Sequence, residues 1–179
     1  GENGAERFLM ACAAAPAALA ALGPREGVEA RLRHVFDLPL GEIDEILERE
    51  CQAFDVAALK RIGILNSQWG TKGGLERASL CEQWLAAGPG ERVRLLDSLH
   101  KVWAKSDGEP RSFGKGQAPQ DPEYGSFATA AFECCSRLLG IQRLAALVAS
   151  LAARLGAGQA FGSAYDAGER GGGAVDFVD

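Results

Sequence analysis

Few side chains in this chain have the type and spacing that catalysis requires. The sequence contains only two histidines, His34 and His100, and neither lies near a Gly-x-Ser-x-Gly nucleophile motif. His100 falls at the edge of an apolar helix face, which is typical of a structural histidine. Glu50 also lies near an apolar face, so it requires a partner such as an arginine from another helix. We assign no catalytic residue; an enzyme that uses Glu50, His100 and Cys51 is a weaker alternative.

The cysteines lack the spacing of a metal site or of a disulfide framework. There are five of them, and two are adjacent, so on a helix their side chains would diverge by about 100°. A Gly-Lys-Gly sequence at 114–116 lacks the Gly-x-x-x-x-Gly-Lys-Ser/Thr pattern of a phosphate-binding loop. We therefore predict no metal, no cofactor and reduced, mostly buried thiols. Reduced thiols in turn favour a cytoplasmic, reducing location.

Positive charge is concentrated in the middle of an acidic protein. The whole chain has a formal net charge of −5, but the segment 55–115 has a net charge of +3 and contains all three tryptophans. In a helix over 91–105, three cations would align opposite the apolar face. Such a stripe is a candidate contact for a phosphate backbone. The candidate nucleic-acid-binding residues are Lys72, Arg94, Lys101 and Lys105.

Two aromatic residues are candidates for partner binding. Trp84 and Trp103 fall on apolar helix arcs, and we expect both in the core. Trp69 instead lies beside a Gly-rich turn, where it would be partly exposed. Phe177 belongs to a short acidic and aromatic peptide at the end of the Gly-rich tail, a type of segment that docks into grooves.

The spacing of apolar residues predicts a mainly α protein. Helical periodicity recurs along the chain, alanine is abundant and β-branched residues are scarce, so we expect a compact bundle of about six to seven helices. One short β-hairpin near 64–80 is an optional addition. We predict a single helical domain over 1–155, with an exposed loop at 107–122, followed by a flexible tail over 156–179. We expect no run long enough to span a bilayer, and so no membrane partner.

These observations favour a non-catalytic helical interaction domain that binds a protein partner. This hypothesis requires an apolar patch that the isolated chain leaves exposed. The alternative is a nucleic-acid-binding regulator, because the order of elements over 55–105 loosely resembles a winged-helix module. That resemblance requires a strand, rather than a helix, after the Gly-rich turn at 70–74.

Overall fold

The computed structural model of the chain describes residues 2–112 and 121–172. This part forms nine α-helices and one short 3-10 helix, so the prediction of a mainly α protein is confirmed. The elements are α1 (Glu2–Ala13), α2 (Pro16–Ala21), η1 (Arg25–Gly27), α3 (Val28–Val35), α4 (Ile43–Gln52), α5 (Val56–Gln68), α6 (Lys72–Ala86), α7 (Pro89–Arg94), α8 (Leu96–His100) and α9 (Tyr124–Gly172).

The described residues divide into two compact units. Unit 1 lies within Gly1–Pro39 and Leu144–Asp179, and unit 2 lies within Leu40–Arg143. Unit 1 therefore combines two distant stretches of sequence, whereas unit 2 is contiguous. The single domain over 1–155 stays a prediction.

Unit 1 is held together by close approach between its first helices and the last part of α9. A Cβ atom on Gly158 would lie only 2.5 Å from the Cys12 sulfur, so the glycine leaves room for α1. The Gln159 amide nitrogen donates to the carbonyls of Leu19 and Gly23, at 3.1 and 3.0 Å. Leu19 lies in α2 and Gly23 follows it, so these two bonds tie the α2 region to the last part of α9.

Unit 2 has an aromatic and aliphatic core. Trp84 and Trp103 are fully buried, as predicted, and the Phe54 ring packs 5.0 Å from that of Trp84. α5 packs on α6, α4 on α7, and α6 on α8. The largest fully buried side chains of this core besides the tryptophans are Leu47, Leu59, Ile62, Leu96, Leu99 and Leu138.

The helix pair α5 and α6 replaces the predicted hairpin. The sequence suggests a helix end at Gly63 and a hairpin near 64–80, and both predictions are wrong, because continuous helices cover these residues up to the turn between them. Gly63 is buried inside α5, where a Cβ would lie 3.4 Å from the Cβ of Cys81 on α6. It therefore allows two helices to approach closely. The winged-helix arrangement over 55–105 also fails, because α6 is a helix where that module requires a strand.

The segment 91–105 is divided, although its sequence predicts one amphipathic helix. α7 ends at Arg94, Leu95 adopts φ −87° and ψ 0°, and α8 ends at His100. Lys105 therefore lies outside both helices. The predicted stripe of three cations on one helix does not form.

After α8 the chain makes a small antiparallel hairpin over 103–111. Ala104 and Pro110 form a bridge, and Gly108 adopts a φ of +86° in the turn, a conformation that glycine tolerates best. Backbone hydrogen bonds join Arg111 N to Trp103 O at 2.7 Å and Lys105 N to Glu109 O at 2.8 Å. The sequence predicts an exposed loop over 107–122; the first residues of that stretch belong to this hairpin, and 113–120 lie outside the described residues.

α9 is one helix where the sequence predicts two. The pattern favours helices over 124–139 and 141–155 with Gly140 between them, but the helix continues through Gly140 and on to Gly172. A glycine costs a helix only about 1 kcal/mol relative to alanine, and the good helix formers around it outweigh that cost. The predicted tail over 156–179 thus begins as helix, and 173–179 lie outside the described residues.

α9 also contains an apolar stretch of membrane-spanning length. By length and composition alone, Tyr124–Gly168 could cross a bilayer, which corrects our expectation that no run is long enough. Of its most apolar 18-residue window, 17% is buried. Helices of soluble proteins meet the same criterion, so the criterion does not place α9 in a membrane. The cytoplasmic location stays a prediction.

Candidate functional site

The first candidate site is a groove along the helices α5 and α6, whose starting points are fixed by side-chain caps. The Asp55 carboxylate accepts a hydrogen bond from the Ala58 amide at 2.9 Å, which makes Asp55 the N-cap of α5. The Thr71 hydroxyl accepts one from the Gly74 amide at 3.1 Å. Each cap satisfies an amide that has no partner within its own helix.

The α5–α6 groove has an apolar floor and an exposed apolar wall. It encloses about 330 Å³ and is lined by Lys60, Gly63, Ile64, Cys81, Glu82 and Leu85, among others. Burial raises the pKa of the Cys81 thiol to about 12, so this part of the floor is neutral at physiological pH. Ile64 is 58% exposed. Leu75, which is 52% exposed, lies about two turns before Glu82 on the same face of α6.

The rim of the groove carries one charge of each sign. Lys60 projects from α5 and Glu82 from α6, and both are exposed. Neither makes an ion pair within the described part of the chain. The groove therefore offers an apolar floor between a basic and an acidic edge.

The second candidate site, the basic cleft, lies between α8, the hairpin and the Arg143 region of α9. It encloses about 460 Å³, and its ionisable lining residues are Asp97, His100, Lys101, Lys105, Asp107, Arg111 and Arg143. Asp97 contacts Lys101 at 2.9 Å and Arg143 at 3.5 Å. The hydrogen bond from Lys101 lowers the pKa of Asp97, which keeps this carboxylate ionised.

The four predicted nucleic-acid-binding residues do not form one surface. Lys101 and Lys105 line the basic cleft together. Arg94 instead lines a separate cavity with the acidic residues Asp44 and Glu48. Lys72 is the first residue of α6 and lines neither cavity.

Two cations of the basic cleft, Arg111 and Arg143, are not among the predicted binding residues. Arg111 lies on the hairpin, in a stretch that the sequence predicts to be a loop, and Arg143 lies on a helix predicted to be separate. The Asp-Gly pair at 107–108 is a common hairpin signal and could have placed Arg111. No local signal brings Arg143 to the same cleft.

Of the two predicted partner-binding residues, the structure describes Trp69 only. Trp69 is half-buried, as expected for a residue beside the turn, and the Arg77 guanidinium lies over its ring at 5.4 Å from the ring centroid. Such a cation–π contact, together with burial, holds Trp69 against the start of α6. Phe177 lies outside the described residues.

The contacts of the three candidate enzyme residues give each of them a structural role. Glu50 pairs with Arg137 of α9 at 2.7 Å, the arginine partner from another helix that its position requires. His100 Nε2 and the Ser136 hydroxyl share a hydrogen bond of 2.9 Å, and burial lowers the pKa of His100. Burial likewise raises the pKa of the Cys51 thiol to about 11, which makes it a poor nucleophile at neutral pH.

Metal binding has no location in the part of the chain that the structure describes. Within residues 2–112 and 121–172, no three His, Cys, Asp or Glu side chains cluster in a way that would hold an ion. Four of the five cysteines are buried, as predicted.

Comparison with known proteins yields no relative. No protein-family model matches the chain, and no curated protein or solved structure matches it. Function is therefore inferred from the geometry of the two candidate sites.

Proposed function

We propose that this chain is a non-catalytic helical domain that binds a protein partner through the α5–α6 groove. The observation that carries the proposal is the exposure of Ile64 beside a concave apolar floor. Single exposed aliphatic residues are ordinary on protein surfaces. An exposed isoleucine next to a groove with a buried glycine and a neutral thiol in its floor is a better docking surface, because a partner's side chain can be enclosed there.

The occupant that best fits the groove is an amphipathic helix of the partner. Helices bind such grooves with apolar residues at intervals of three and four positions. An acidic residue on one side of that helix would face Lys60, and a basic residue on the other side would face Glu82. This complementarity would set the direction of the helix more than its affinity.

The alternatives receive less support. Structural contacts explain the presence of Glu50, His100 and Cys51, and these contacts do not combine the three residues into an active site. Nucleic-acid binding by a single stripe is also less favoured, because Arg94 is separated from Lys101 and Lys105.

Photocrosslinking tests the proposal while the partner is still unidentified. A photoreactive amino acid at position 64 should give a specific adduct in an extract of the source cells, and the adduct can be identified by mass spectrometry. The same probe at Leu147, a half-exposed aliphatic residue of unit 1, is the matched control. Adducts that form equally at both positions would count against the groove.

Affinity measurement with the identified partner is the decisive step. Burying an isoleucine side chain contributes about 1.5–3 kcal/mol. Ile64→Asp should therefore weaken binding at least about tenfold, whereas Leu147→Asp should leave the affinity unchanged. If Ile64→Asp retains the parent's circular dichroism spectrum and also its affinity, the proposal is wrong.

A further inference from the structure

The basic cleft holds more positive charge than its own carboxylates neutralise. Its lining includes four cations but only two acids, Asp97 and Asp107. Asp97 is already shared between Lys101 and Arg143. One Asp107 oxygen accepts a hydrogen bond from the Glu109 amide at 3.1 Å, within the hairpin turn. With its histidine neutral, the cleft carries a net charge of about +2.

Two of the cations are left without a carboxylate by the described part of the chain. Lys105 and Arg111 make no ion pair among residues 2–112 and 121–172. The Arg111 Nε atom is buried, and no acceptor in those residues reaches it. The pKa of Arg77 is lowered first by burial and second by the positive charge of Arg111. The Arg111 charge therefore acts on a neighbouring guanidinium. The sequence of 113–120 contains no aspartate or glutamate that could neutralise it.

The hairpin fixes the backbone positions of Lys105 and Arg111. Lys105 and Arg111 lie on opposite sides of the Ala104–Pro110 bridge, and the backbone amide of each is hydrogen-bonded across the hairpin. The hairpin begins at Trp103, which is fully buried in the core of unit 2. Because this backbone is already ordered, the two residues can bind an anion without the entropy cost of ordering a loop.

We propose that the basic cleft binds the phosphate groups of a small anionic ligand. A guanidinium presents a planar fork of donors that matches phosphate oxygens, and a nearby ammonium adds a mobile point charge. A volume of about 460 Å³ suits a small ligand. A nucleic-acid duplex instead requires cations spread along an extended surface, and Arg94 and Lys72 do not join this cleft.

Titration calorimetry of the full chain with sodium tripolyphosphate at low salt tests the proposal. We expect saturable binding to one site that weakens as salt is added. Lys105→Gln and Arg111→Gln should each weaken binding at least about tenfold. Arg94→Gln and Lys72→Gln remove the same charge outside the cleft, and they should change the affinity less than about twofold. Lys105 is exposed, so Lys105→Gln carries the test alone if Arg111→Gln fails to fold.

Three results would overturn the proposal. The first is no saturable binding of tripolyphosphate at low salt. The second is a loss of affinity in Arg94→Gln as large as that in Lys105→Gln, because it would reflect overall charge only. The third is tighter binding of citrate or of a DNA duplex at the same residues, because either would assign the cleft to another class of ligand.

Discussion

Replacing Gly74 with alanine should destabilise the protein, although the same change normally stabilises a helix. In an ordinary helix position, alanine is favoured over glycine by about 0.5–1 kcal/mol. At Gly74, however, the added Cβ would lie 2.5 Å from the Asn66 carbonyl oxygen of α5, and 3.1 and 3.2 Å from atoms of Trp69 and Thr71. The nearest of these atoms belongs to the backbone, so one helix must shift away from the other.

The size of the effect follows from these two opposing contributions. Overpacking of this kind costs about 1–3 kcal/mol, which exceeds the gain in helix propensity. Taking the middle of each range, we expect a net loss of about 1 kcal/mol in the free energy of unfolding. In a chain of this length that corresponds to a fall in Tm of about 2–4 °C.

Gly140 provides the matched control. It lies inside α9, is exposed, and no atom lies within 4 Å of the position that its Cβ would occupy. Gly140→Ala should therefore stabilise the protein by about 0.5–1 kcal/mol. Urea unfolding followed by circular dichroism and by tryptophan fluorescence measures both variants, provided that the two probes give coincident transitions. Equal or higher stability of Gly74→Ala would refute the close approach of α5 and α6.

Three further predictions concern single side chains. Asp55→Ala should lower the free energy of unfolding by about 1 kcal/mol through loss of the α5 cap, and Asp55→Ser should restore most of it, as urea unfolding can show. With a thiol reagent at neutral pH, Cys134 should react first. The buried Cys51 and Cys81, whose pKa values are raised to about 11 and 12, should react only on unfolding. A second fast-reacting thiol in the folded protein would contradict this. Burial lowers the pKa of His100, so as the pH falls the unfolded state takes up a proton at this residue before the folded state does. Stability should therefore decrease as the pH drops below about 6.5. In thermal unfolding, His100→Gln should weaken this pH dependence.

Local chemistry predicted the elements whose signals lie within a few residues. The Asp55 cap, the α4 helix and the burial of Trp84 and Trp103 all follow from side-chain type and helical spacing. Glu50 is a more distant success, since a carboxylate near an apolar face requires a cation, and Arg137 supplies it.

Most errors in the predicted helix boundaries occurred at glycines, because whether a glycine ends a helix depends on tertiary packing. Gly63 and Gly140 both suggest helix ends, yet one accommodates a neighbouring helix and the other is tolerated on an exposed face. The opposite error affects Gly108, which the sequence places in a loop although it forms the turn of a hairpin. Only three-dimensional packing distinguishes these cases.

The candidate sites were harder to predict than the fold. The basic cleft combines residues of α8, a hairpin and α9. These residues are far apart in the sequence, so a periodic pattern cannot show that they lie together. The α5–α6 groove was hidden for another reason. The sequence around Ile64 resembles a strand-like piece, so its place on the face of a helix could not be foreseen.

The division of unit 1 between two stretches of sequence has a consequence during synthesis on the ribosome. The residues of α1, α2 and α3 emerge roughly 100 residues before the part of α9 that completes their unit. At about 5–20 residues per second, that delay is about 5–20 s. During it, Cys12, which is buried in the finished protein beside Gly158 of α9, lacks this neighbour, whereas unit 2 receives all of its segments in one stretch. Unit 2 can therefore fold before unit 1 is complete, and α1, α2 and α3 must wait for the last part of α9.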